Sequence, residues 1–153
     1  MAAFSLPALE VGGDFYDFIP LSQNKWGLVI ADVSGKGFPA ALFMALSRTY
    51  IRANAMGKAT ASEAIRMANN LITKDAKSGM FVTLFYAILD LHKKQLHYVN
   101  AGHYPPLLCK GADGTVMLLG AQGIAWVLLM RSTLKRWSSI WQLMTPSFSI
   151  RTG

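Results

Sequence analysis

Trp26-Gly-Leu-Val-Ile-Ala31 is an apolar run that stops at a carboxylate, Asp32. A run of this kind bounded by polar residues reads as a strand buried on both faces, and it delivers Asp32 to the strand's end. Ser34-Gly-Lys-Gly37 then supplies turn chemistry. Pro39 suits the first turn of a helix, where its missing N–H has no intrahelical partner. A helix is expected over about 39–56, with Leu42, Ala45, Leu46, Thr49 and Ala53 as the stripe turned to the sheet and Gly57 as its stop.

Thr60 followed by Glu63 fits a capping box, and Ala64, Ile65, Ala68, Leu71 and Ile72 follow at helical spacing, predicting a second helix over about 62–74. Residues 80–89, 95–100 and 106–109 are rich in β-branched and aromatic side chains and are separated by turn-prone stretches such as Leu91-His-Lys-Lys94. Gly111-Ala-Asp-Gly114 predicts another hairpin turn into a strand over 116–119. A strand, a helix pair and a strand meander together imply an α+β fold.

A chain of 153 residues fits one domain, and 52% hydrophobic against 15% charged residues makes it too apolar to stay disordered. The lone Cys109 can form neither an internal disulfide nor a zinc cage, so a reduced, cytoplasmic setting is expected. In the back half, the apolar stretch 124–130 is far short of the roughly 20 residues that span a bilayer. Met1-Ala-Ala-Phe-Ser-Leu-Pro7 has no basic flank before an apolar run, so it reads as cut from a longer protein and not as an export signal. The net charge of +7 does not mark a nucleic-acid binder, because the excess is largely a tail effect. All eight acids lie between Glu10 and Asp113, whereas Arg131, Lys135, Arg136 and Arg151 follow with no acid.

Two segments carry candidate chemistry. Val11-Gly-Gly-Asp-Phe-Tyr-Asp17 sets two carboxylates three positions apart beside glycines that let backbone approach an ion, and Asp32 adds a third carboxylate before a glycine-rich turn. Each alone is also what a turn or a helix cap looks like. Taken with two further motifs they are specific. Asp14-Phe-Tyr-Asp17, Ala31-Asp-Val-Ser-Gly-Lys-Gly-Phe-Pro-Ala-Ala41, Met80-Phe-Val-Thr-Leu-Phe-Tyr86 and Val99-Asn-Ala-Gly-His-Tyr-Pro-Pro-Leu107 stand in the order and spacing of the SpoIIE/RsbU branch of PPM-type (type 2C-like) protein phosphatases. The chain resembles that family from about Pro7 to Gly123.

The resemblance implies a PPM phosphatase-like β-sandwich flanked by helices, in α-β-β-α layers, with two Mn²⁺ or Mg²⁺ ions at one end of the sheets. Asp14 and Asp32 match the family's metal-binding, catalytic aspartates, and the Val33 carbonyl matches a backbone ligand. Asp17 either reaches a metal through water or caps a turn. Close divalent cations make water acidic enough to attack phosphorus in line, so no protein nucleophile is needed and Cys109 reads as a core residue. Lys36 either attracts phosphate or is a plain solvated lysine; the full phosphate-loop pattern is absent. His103 either bonds to backbone or transfers a proton, and His92 and His97 read as surface or strand positions.

After Leu119-Gly120 the family continues with acidic segments and a Leu-Tyr-Thr-Asp-Gly motif that supplies a further metal ligand, and none of this is written in the chain. From Trp126 acids vanish, three of the four tryptophans crowd into 126–141, and neither strand alternation nor a helical stripe continues. Residues 1–125 therefore read as the front of the phosphatase domain, and 126–153 as an aberrant basic tail. Loss of one nucleotide before the Trp126 codon accounts for it. Restoring the base, with permitted choices at degenerate positions, re-reads 125 onward as ALGVIDEINFEEVELHLAIDDAFVLYTDG, which recovers the acids and the Thr-Asp-Gly ending; a genuine variant ending is the alternative.

For function the resemblance implies hydrolysis of phosphoserine or phosphothreonine on a small anti-anti-sigma (STAS-type) partner in bacterial stress or developmental signalling. Relatives often carry an upstream sensor domain, and a homodimer is one possible arrangement. Lacking the later ligands, the written chain is expected to bind metal weakly and turn over little. The rival reading is a catalytically inactive interaction module of the same fold.

Overall fold

The computed structural model describes residues 12–57, 60–76, 79–110, 116–120, 139–142 and 148–151. β1 (Phe15–Ser22) and β2 (Lys25–Val33) form a hairpin, and α1 (Gly37–Ala55) and α2 (Ala61–Asp75) follow before β3 (Val82–Asp90) and β4 (Gln95–Ala101). β5 (Leu107–Lys110), β6 (Val116–Leu118), β7 (Ser139–Gln142) and β8 (Phe148–Arg151) complete the order. Five strands form one sheet in the order β1-β2-β3-β4-β7, and three form a second in the order β6-β5-β8. Every strand pairing within these sheets is antiparallel.

Alternation along the central strands splits the core into two layers. Val29, Ala31, Leu84 and Tyr86 face α1 and α2. Phe85, Ala87, Leu96 and Tyr98 face the second sheet through Leu108 and Leu119. The described residues thus form three of the expected layers, α-β-β.

Both helices begin and end within two residues of their expected bounds. α2 has the predicted cap, with the Thr60 hydroxyl accepting the Glu63 N–H at 3.2 Å. The stripe assigned to α1 needs correction. Its buried face is Ala40, Phe43, Ser47, Ile51 and Ala55, while Leu42, at 70% exposed, turns outward together with Ala45, Thr49 and Ala53. α1 is apolar around more than one side, and the face taken is the one whose small Ala40, Ser47 and Ala55 let the helix lie close to the sheet and bring Arg48 and Arg52 onto β1.

β1 was not anticipated as a strand. The turn expected over 111–114 lies outside the described residues. Within the segment read as an aberrant tail, β7 pairs with β4 and β8 with β5. The outer edges of β4 and β5 carry backbone N–H and C=O groups that any extended segment can pair, whatever its side chains.

Candidate metal centre

The β1–β2 hairpin brings the two leading carboxylates together. Its register pairs Phe15 with Ala31, and one step further sets Asp14 opposite Asp32. Both are exposed. Asp32 alternates with buried Ala31 and Val33, so it lies on the face shared with the second sheet, at one end of the sandwich. Burial pushes its carboxyl up to about 6, and the hydrogen bond to Asp14 and Asp14's charge push the same way. Two carboxylates set side by side repel, which leaves the site short of positive charge.

Backbone geometry adds an oxygen. A Cβ at Gly13 would stand 2.7 Å from the Val33 carbonyl oxygen and 3.0 Å from Val33 Cβ, so only glycine fits against that carbonyl. The loop beyond is pinned: Ser34 N–H donates to Phe81 O at 2.9 Å, and Phe81 N–H donates to Ser34 Oγ at 2.9 Å. Two carboxylates and a peptide carbonyl are all oxygen groups, of the kind that would suit a hard divalent cation such as Mg²⁺ or Mn²⁺. Among the described residues no group of three His, Cys, Asp or Glu side chains converges.

Asp17 does not join this pair, nor does it cap a turn. On a strand, a spacing of three puts side chains on opposite faces, so Asp17 points with Phe15 and Ile19 toward the helices. It is 6% exposed, and its two oxygens accept from Arg52 Nη1, each at 2.7 Å. Arg48 adds Nη2 to Oδ1 and Nε to Oδ2, each at 3.3 Å. Both readings offered for Asp17 give way to a third, a buried anchor between β1 and α1.

Lys36 is exposed in extended backbone at the N-cap of α1, where it makes no side-chain capping bond. His103 was expected to bond to backbone or to move a proton. Its Nδ1 instead lies 3.1 Å from the Thr83 hydroxyl, and its backbone N–H donates to Asn100 Oδ1 at 2.9 Å. Burial lowers the pKa of its imidazole, and the charge of Asp14 partly offsets this. Thr83 and Asn100 were passed over. Thr83 pairs directly with Asp32 across β2–β3; period-two counting along Met80–Tyr86 gives its face but not this partner.

His92 is exposed in the β3–β4 turn, and His97 is half-buried in β4 opposite Ile88. Cys109, read as core, is only half-buried, because Leu108 takes the inward position on β5.

A family model described as Stage II sporulation protein E (SpoIIE) matches residues 22–136. Phosphoserine phosphatase RsbU of Bacillus subtilis (strain 168) is 32% identical over 124 residues, covering 81% of this chain and 37% of that protein. Phosphoserine phosphatase RsbP of the same organism is 32% identical over 116 residues, covering 73% of this chain and 28% of that one. The chain thus spans between a quarter and two fifths of the length of these relatives. The solved RsbU and RsbW domains of a Mycobacterium tuberculosis protein superpose with a TM-score of 0.68 at 26% identity, over 95% of this chain and 37% of that one. The PP2C phosphatase domain of SpoIIE from Bacillus subtilis, solved with a fragment of its regulatory domain, gives 0.70 at 20% identity, over 87% and 38%, a likeness of fold.

Proposed function

The chain belongs to the SpoIIE family, and from that membership we propose that it is the front part of a metal-dependent protein serine/threonine phosphatase domain. The observation that carries the reading is the pairing of Asp14 with Asp32 beside the Val33 carbonyl. These three groups would hold divalent cations, Mn²⁺ or Mg²⁺. When bound, such ions offset phosphoryl charge and make water available as hydroxide near neutral pH. The chain's own residues do the rest: the hairpin fixes both carboxylates, Gly13 lies against the Val33 carbonyl where no side chain fits, and the Ser34–Phe81 bonds hold the loop that leads to Lys36. Lys36, exposed at the start of α1, is suited to drawing a phosphate toward the acids by charge.

The substrate class follows the relatives RsbU and RsbP, each named a phosphoserine phosphatase. Phosphoserine or phosphothreonine on a STAS-type anti-anti-sigma protein is the proposed target, with an upstream sensor domain and a homodimer as the proposed setting of the parent protein. No helix among the described residues is long and apolar enough to cross a membrane. With Cys109 free, a cytoplasmic site of action is the proposed location.

For the chain as written a second reading is an inactive interaction module; among the described residues no group of three His, Cys, Asp or Glu side chains that could hold a metal forms. One experiment separates the two. Mn²⁺ is titrated by calorimetry into the written chain and into a frame-restored chain, and phosphate release from a phosphoserine peptide is followed in both. Two ions and Mn²⁺-dependent hydrolysis are expected for the restored chain, fewer ions and little turnover for the written one. A restored chain that binds metal but is inert supports the interaction module. Full hydrolysis by the written chain, or hydrolysis surviving both Asp14→Asn and Asp32→Asn, refutes the site.

A further inference from the structure

The row of polar groups that begins with Asp14 and Asp32 continues across the sheet. The β2–β3 register sets Thr83 opposite Asp32, and Thr83 shares the face of Phe85 and Ala87, the face turned to the second sheet. Its hydroxyl meets His103 Nδ1 at 3.1 Å. The next strand fixes the backbone that carries the imidazole. Asn100 is completely buried, its Oδ1 accepts the His103 N–H at 2.9 Å, and its Nδ2 finds no partner among the described residues. Leaving an amide donor unpaired in the interior costs free energy, and Asn100 bears that cost while holding one particular turn in place. The turn it holds lays the imidazole beside Thr83, close enough to Asp14 to sense its charge.

A phosphoryl group approaching two carboxylates needs donors as well as cations, since anion meets anion. With Nδ1 taken by Thr83, the nitrogen of His103 left without a partner among the described residues is Nε2. We propose that His103 is a phosphoryl-binding residue: its Nε2–H donates to a phosphate oxygen held over Asp14 and Asp32, with Thr83 and Asn100 as the positioning residues that aim the ring. The proposal rests on the phosphatase reading above and adds a substrate contact to it. The tautomer it requires is the one in which the Thr83 hydroxyl donates to Nδ1.

The test uses the chain as written, with Mg²⁺ as the metal and inorganic phosphate as the probe. Ring-nitrogen NMR of the histidines is followed while phosphate is added, with His92 and His97 as references elsewhere on the fold. A saturable change at His103 Nε2, larger than at either reference, is expected. His103→Ala and His103→Asn, which reach no further than Nδ1, should weaken phosphate binding about tenfold, the scale of one hydrogen bond to a charged group. His103→Gln, whose amide nitrogen reaches near the position of Nε2, should stay within about threefold of the parent. Mg²⁺ affinity should be the same in all three variants. Phosphate binding that is equal in every variant, a Gln variant as weak as Ala, or no saturable phosphate binding overturns the proposal. If Mg²⁺ leaves the amides of Asp14 and Asp32 unmoved, the metal reading itself falls and takes this one with it. If Mg²⁺ binds and His103 ignores phosphate, this proposal alone falls.

Discussion

Arg52→Ala tests what ties the β1–β2 hairpin to α1. Arg52 Nη1 stands 2.7 Å from both oxygens of Asp17, whereas the Arg48 contacts are 3.3 Å. The carboxylate side chain is 7% exposed and the Arg52 side chain 39%. Breaking a fully buried pair from one side costs about 3–5 kcal/mol, because the charge left behind is unpaired. Here Arg48 remains as a weaker partner and Arg52 is partly solvated, which lowers the expectation to about 2–3 kcal/mol. Arg48→Ala, which removes longer contacts from a side chain 49% exposed, should cost about 1 kcal/mol. At about 2–4 °C per kcal/mol for a domain of this size, the melting temperature should fall about 5–10 °C for Arg52→Ala and about 2–4 °C for Arg48→Ala. Urea unfolding gives the same ranking independently, and an Asp17→Asn/Arg52→Ala cycle should show coupling above about 1 kcal/mol. Equal losses below about 0.5 kcal/mol, or a larger loss for Arg48→Ala, would refute the geometry. Asp17→Asn also separates anchor from ligand. It should lower stability and leave Mg²⁺ affinity unchanged, so loss of Mg²⁺ binding at unchanged stability would make Asp17 a metal ligand after all.

Two other substitutions probe the acids directly. Gly13→Ala drives a Cβ to 2.7 Å from the Val33 carbonyl oxygen, and should cost about 1–3 kcal/mol by overpacking and weaken Mg²⁺ binding, as read by calorimetry. Normal Mg²⁺ affinity in that variant would remove the Val33 carbonyl from the donor set. Asp32 has a carboxyl raised from 3.8 to about 6, so between those values the folded metal-free chain holds more protons than the unfolded one and loses stability as pH rises. Asp32→Asn should therefore melt higher than the parent at pH 7.5 without metal, should lose that advantage below pH 3.8, and should gain nothing from Mg²⁺. A metal-free parent at least as stable as the variant at pH 7.5 would contradict the repulsion.

Much of this was legible from periodicity alone. The apolar run ending at Asp32, the Thr60–Glu63 cap and the strand meander all appear near where they were expected, because each is set by local turn chemistry and by burial of one face. The failures have one physical root, which is choosing a face without knowing what lies opposite. On α1 two stripes had helical spacing, and only the sheet decided between them. For Asp14 and Asp17, reading the segment as a loop allowed the two acids to converge. Reading it as a strand, as the alternation Phe15, Asp17, Ile19 permits, sends them to opposite sides. Thr83 was missed because its pairing with Asp32 joins positions 51 residues apart, a contact that no local pattern encodes.

The same logic of faces and ends bears on the tail. A divalent ion that prefers six or more oxygens is poorly neutralised by two carboxylates and a carbonyl. The other described acids are engaged elsewhere: Asp17 with two arginines, Glu63 in the first turn of α2, Asp75 with the Tyr50 hydroxyl, and Asp90 with Lys25. Beyond Asp113 the written chain has none. On the phosphatase reading proposed above, the restored frame would supply further carboxylates. There the re-read Leu-Tyr-Thr-Asp-Gly would fall on positions 149–153, the first three of them within β8. On the frameshift reading, one lost nucleotide would leave backbone pairing available, since pairing needs no particular side chain, and would remove carboxylates from the end of the chain.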